Sequence, residues 1–89
     1  MLGLIKTRCG IAEQITVYDD DINAYIEDAK EDMIDSGVPA SIVEAEGAAV
    51  ATAVTLYVRA NMADDRTDAE RYMDLYRGRV FRLTLKEGE

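Results

Sequence analysis

The run from Gly47 to Val58, GAAVATAVTLYV, holds 12 residues without a charge. That is well short of the roughly 20 apolar residues that span a bilayer, so other parts of the protein must cover it. A chain of 89 residues has room for one core, near the lower limit of what apolar burial sustains alone. A helix that is apolar on every side has to be surrounded. The run therefore predicts a central helix with the rest of the chain laid around it. Its small residues Gly47, Ala48, Ala49, Ala51 and Ala53 let neighbouring backbones come close.

The flanking sequence supplies helices to do the covering. The central helix is expected over 41–62, with Ser41 as N-cap and Glu44 three residues on completing a capping box. Before it, Ile22, Tyr25, Ile26, Ala29, Met33 and Ile34 recur at threes and fours, which predicts a helix over 20–36. Gly37 and Pro39 stop it. After it, Tyr72, Leu75, Tyr76, Val80 and Leu83 predict a buried stripe on a helix over 68–85, capped by Thr67 or Asp68. Gly78 inside that helix costs roughly 1 kcal/mol relative to Ala, so a close contact is expected there. LGLIKTRC reads as a short N-terminal helix closed by Gly10, and IAEQITVY as an extended connection. The fold class is all-α: a small bundle of three longer helices plus the short one, forming a single domain over 1–89 with a polar tail over 84–89.

Charge and residue inventory exclude several functions. The net charge of −8 weighs against binding nucleic acid phosphates. One cysteine, Cys9, rules out an intrachain disulfide, and with no histidine neither a zinc site of the usual kind nor a Cys–His nucleophile can form. Cys9 is expected to be a small core residue. Lys6 and Arg8 interrupt any signal-peptide core, so a soluble protein made in a reducing cytoplasm is expected. The adjacent Asp19, Asp20 and Asp21 could bind a metal, share a proton or begin a helix. Their spacing is wrong for a calcium loop of EF-hand type, and Ile22 follows at once. Capping explains them without any further partner: Asp19 accepts backbone N–H bonds, and Asp20 and Asp21 complement the helix dipole. No catalytic, cofactor or metal site is expected.

The remaining charges are unevenly placed. Residues 1–58 carry 11 acids against 3 bases and residues 59–89 carry 7 of each, so the whole acidic excess lies in the first part. Glu27, Glu31 and Asp35 lie four apart on one helix face, with Asp28 and Asp32 as a second such pair. Like charges at that spacing cost a few tenths of a kcal/mol per pair, and Asp35 stands at the unfavourable end of the dipole. Arg77, Arg79, Arg82 and Lys86 form a run with no acid between them. Either the acids are simply solvated, or a basic surface of this chain or of a neighbour offsets their repulsion. An acidic front and a basic back suit head-to-tail self-association.

The whole pattern resembles the head–tail connector (head-completion adaptor) proteins of tailed bacteriophages. An acid-rich start opens a helix of the form I-x-x-[YL]-I-x-x-A-K, matched by Ile22, Tyr25, Ile26, Ala29 and Lys30. Val54, Leu56, Tyr57, Val58, Arg59 and Ala60 match a V-x-L-Y-V-[KR]-A-like central segment, and Tyr72 and Tyr76 match a Y-x-x-x-Y pair in the last helix. The resemblance implies a structural virion protein made in the host cytoplasm. It implies a ring of about a dozen copies under the capsid portal, extending the DNA channel and docking the next neck or tail protein. DNA would pass an acidic channel wall without sequence-specific binding, and no membrane is involved. Glu27, Asp28, Glu31, Asp32, Asp35, Arg77, Arg79, Arg82 and Lys86 are the candidate contacts to a neighbouring subunit or the portal. The alternative reading, from a different class, is a small cytoplasmic regulator that binds a basic partner protein through its acidic helix face.

Overall fold

The computed structural model describes residues 1–85. Five helices follow in order: α1 (Leu2–Arg8), α2 (Asp19–Asp35), α3 (Ala40–Ala45), α4 (Ala48–Met62) and α5 (Arg66–Thr84), with no strand among the described residues. The central helix is where its missing charges required it to be. α4 packs against α5, α2 and α1, and it buries Val50, Ala51, Ala53, Val54, Thr55, Val58 and Ala60. From α2 come Ile22, Ile26, Ala29 and Met33, from α5 Tyr76, Val80 and Leu83, and from α1 Ile5. The Thr55 hydroxyl satisfies itself by donating to the Ala51 carbonyl one turn back. The Cα envelope measures 38 × 27 × 17 Å, so the domain is two helix layers thick and both α2 and α5 keep a long solvent face.

Two helix stops fall as their glycines dictate. Gly10 (φ 74°) and Gly37 (φ 107°) both take the left-handed conformation that closes α1 and α2. The expected helix over 41–62 is instead interrupted. Pro39 stands at the N-cap of α3, neither Ser41 nor Glu44 makes the expected box, and Glu46 enters the left-handed region at φ 52°. Gly47 then starts α4. The break has a packing cause: it folds α3 back so that Val43, with Val38, joins the core instead of projecting beyond the bundle. A left-handed non-glycine residue costs roughly 1–2 kcal/mol. Glu46 is held there by an ion pair with Lys30 of α2.

Other expectations are corrected in detail. α2 begins with Tyr18 as N-cap and no capping side chain, so Asp19 joins Asp20 and Asp21 in the first turn. α5 starts two residues earlier than expected, because Asp65 is its cap and accepts the Thr67 N–H at 2.8 Å. The 11–18 connection is a folded loop of two turns, not an extended segment. Ile34 and Leu75, expected in the buried stripes, are exposed. Tyr25, Tyr57 and Tyr72 are half-buried, and Tyr76 alone of these tyrosines lies in the core. Gly78 is exposed, and a Cβ added there would meet nothing within 4 Å. The close contact expected at Gly78 is therefore absent within the chain.

Two outcomes follow. Gly78→Ala should raise subunit stability by about 0.5–1 kcal/mol, read by denaturant unfolding, because it removes backbone freedom at no steric cost. The Glu46 carboxyl is held below its ordinary value by the hydrogen bond and charge of Lys30. A carboxylate with a lowered folded value stabilises at neutral pH, and loses that contribution as pH falls through the folded value. Thermal unfolding of Glu46→Gln and the parent chain should thus differ at pH 7, and the difference should shrink as the pH falls through the lowered value of Glu46.

Candidate functional site

All five candidate acids of α2 lie on solvent. With 3.6 residues per turn, Asp28, Asp32 and Asp35 share the flank turned towards α5, and Glu27 and Glu31 point outwards. Asp32 finds a partner inside the chain. The buried Tyr76 hydroxyl lies 2.7 Å from its Oδ2, and 3.3 Å from the Ala29 carbonyl. Burial and this carboxylate both push the Tyr76 phenol far above its ordinary range, so it stays protonated and acts as a donor. Lys30, the one base among these acids, is spent on Glu46. Glu27, Asp28, Glu31 and Asp35 enter no ion pair among the described residues.

The arginines of α5 do not come round to meet them. Arg77 lies 3.5 Å from Asp74 on its own helix, an exposed pair of little energetic weight. Arg79 and Arg82 form no ion pair among the described residues. Lys86 falls outside the described residues. Within one chain, then, no candidate acid of α2 forms an ion pair with a candidate arginine of α5. Between α2 and α5 runs a groove lined by Asp32, Ser36, Tyr76, Arg77, Val80, Phe81 and Thr84.

The most heavily engaged charge is one that the sequence reading passed over. Lys6 is only 4% exposed. Its Nζ donates to the carbonyls of Glu13 at 3.0 Å and Ile15 at 2.6 Å and lies 2.9 Å from Asp19 Oδ1. The buried Asp19 Oδ1 makes no well-aimed hydrogen bond, so its contact with the ammonium is one of charge. One amine thus ties α1, the 11–18 loop and the first turn of α2 together. Its consequence is an inversion of the usual pattern: a lysine is buried while Val17, in the loop it holds, is 75% exposed, with Ile15 and Tyr18 also on solvent. A signal was present, since Lys6 occupies the same face of α1 as Leu2, Ile5 and Cys9.

Chemistry of the catalytic kind has little to work with. Cys9 is half-buried against the core, and burial pushes its thiol up, with Arg59 opposing more weakly. A raised thiol is a poor nucleophile. Cys9 and Arg59 share a hollow with Tyr18, Tyr72 and Asp68, where the Arg59 guanidinium lies 5.3 Å from the centroid of the Tyr72 ring. Among the described residues no three Cys, Asp or Glu side chains gather closely enough to hold a metal ion. No helix of the described residues is long and apolar enough to cross a membrane.

Removing the Lys6 amine leaves Asp19 and two carbonyls without their cation. Lys6→Met should therefore lower stability by about 2–4 kcal/mol and make the 11–18 loop the first site of limited proteolysis. Equal stability and an unchanged cleavage pattern would show that the loop is held by other means.

The comparisons with known proteins bear on the chain as a whole. A family model described as phage connector protein matches residues 1–89. No curated protein and no solved structure gave a match. A five-helix domain built on the apolar α4, with unpaired charges on its outer faces, suits a structural subunit, and the family match extends over the whole chain. The chain belongs to the phage connector protein family.

Proposed function

We propose that this protein is a structural subunit of the virion that assembles into a ring at the head–tail junction. The ring, of about a dozen copies, sits beneath the capsid portal, extends the DNA channel and docks the next protein of the neck or tail. No catalysis is involved. One observation supports assembly most directly: Glu27, Asp28, Glu31 and Asp35 on α2, and Arg79 and Arg82 on α5, enter no ion pair among the described residues. Separated patches of opposite sign favour contacts between copies, and repeating heterologous contacts close into rings.

In this reading Glu27, Asp28, Glu31, Asp32 and Asp35 on one subunit, and Arg77, Arg79 and Arg82 on another, are the contacts between subunits or to the portal. The surplus acid, with a net charge of −8, gives the channel wall a sign that repels DNA and lets it pass.

Sizing and negative-stain imaging of the protein, alone and co-expressed with the portal protein of the same phage, test the proposal. Ring-shaped particles, or a ring added to the portal, are expected. A protein that stays monomeric and never joins the portal would overturn it.

A further inference from the structure

The buried stripe of α5, Tyr76, Val80 and Leu83, separates two flanks of opposite character. One flank, with Arg77, Phe81 and Thr84, forms a wall of the groove facing α2. The other carries Arg71, Leu75, Gly78 and Arg82 at steps of four, three and four, a single helical ridge pointing away from α2, with Arg79 beside it. Leu75 is 52% exposed in the middle of this basic ridge, and Gly78 leaves an open notch next to it. The groove carries Asp32 and Ser36 on its α2 side and Arg77 and the 65% exposed Phe81 on its α5 wall, and Asp28 and Asp35 lie further along α2, outside its lining.

We infer that the ridge of one copy seats in the α2–α5 groove of the next, with Leu75 entering beside Phe81 as the apolar anchor. The inference rests on the self-assembly reading above and names the surfaces it uses. Spacing supports it. Arg71 and Arg79 stand one helical turn, about 6 Å, on either side of Leu75. Asp28 and Asp35 stand about one turn on either side of Asp32, whose carboxylate Tyr76 holds at the groove floor. A leucine between two arginines thus faces a groove with Asp32 in its lining and with acids one turn along α2 on either side of it. Arg71 now leans on Asp68 at 3.5 Å in an exposed pair, which a stronger partner displaces easily. Because the two surfaces lie on opposite flanks of one helix, a subunit cannot satisfy its own groove, and each copy offers the next a fresh one. Gly78, unexplained by packing inside the chain, lets the neighbouring helix come close.

A charge exchange tests the pairing. Arg79→Glu should abolish assembly by sizing and mass photometry while the subunit keeps its helical circular dichroism and unfolding midpoint. Arg79→Glu combined with Asp35→Lys restores the complementarity and should restore assembly. Gly78→Leu should raise or preserve subunit stability yet weaken assembly, two opposite signs that an effect on folding cannot give. In a Cys9→Ser background, Leu75→Cys with Ser36→Cys should yield a ladder of disulfide-linked oligomers under mild oxidation. Rings that form without that ladder, and that survive Arg79→Glu, would overturn this pairing while leaving the connector reading intact. A chain that assembles neither alone nor on the portal would overturn both.

Discussion

Val50, Val54 and Val58 of α4 are fully buried between α2 and α5, and most of the architecture follows from keeping them dry. Each such side chain contributes on the order of 1.5–3 kcal/mol when removed from water. Three other helices have to lie against α4 to cover it, which fixes their number and their rough arrangement. What α4 does not fix is how the outer faces of α2 and α5 are used. In a slab two helices thick those faces are unavoidable, and here they carry the acids of α2 and the arginines of α5.

Polar ties then set the finer geometry. Lys6 fastens the N-terminal helix, the following loop and the start of α2 through one buried amine. Tyr76 fastens α5 to α2 through Asp32 and Ala29. Lys30 holds Glu46 in a left-handed turn that lets α3 fold back. Each tie joins residues far apart in sequence, and each leaves something outside: an apolar loop at one end, a groove between two helices, a line of acids without a base.

Much of the fold was legible because its signals are local. The apolar period in α2, the glycines after α1 and α2, and the missing charges in α4 each act within a few residues. The misses are also physical. The break at Glu46 opposes local helix preference and is decided by where Val43 can be buried. Asp19 reads as a cap because aspartate prefers caps, but a lysine thirteen residues earlier draws it into the first turn instead. Leu75 fits an apolar stripe by spacing, yet Tyr76, Val80 and Leu83 already fill the space against α4, and Leu75 is left on solvent.

The candidate site divides the same way. That the acids of α2 repel one another, with Lys30 as the one base among them, is a property of sequence spacing, and it left open whether they are solvated or partnered. Which acids have one depended on the tertiary structure, because a tyrosine 44 residues away reaches Asp32 and no arginine of the chain meets the rest. The sequence alone determined an all-helical domain around one helix with a 12-residue uncharged run, and an acidic excess confined to its first part, because periodicity and charge order are written along the chain. Only the tertiary structure decided that no acid of α2 pairs with an arginine of α5 and that a lysine lies inside, because those outcomes depend on which distant surfaces meet as α4 is covered.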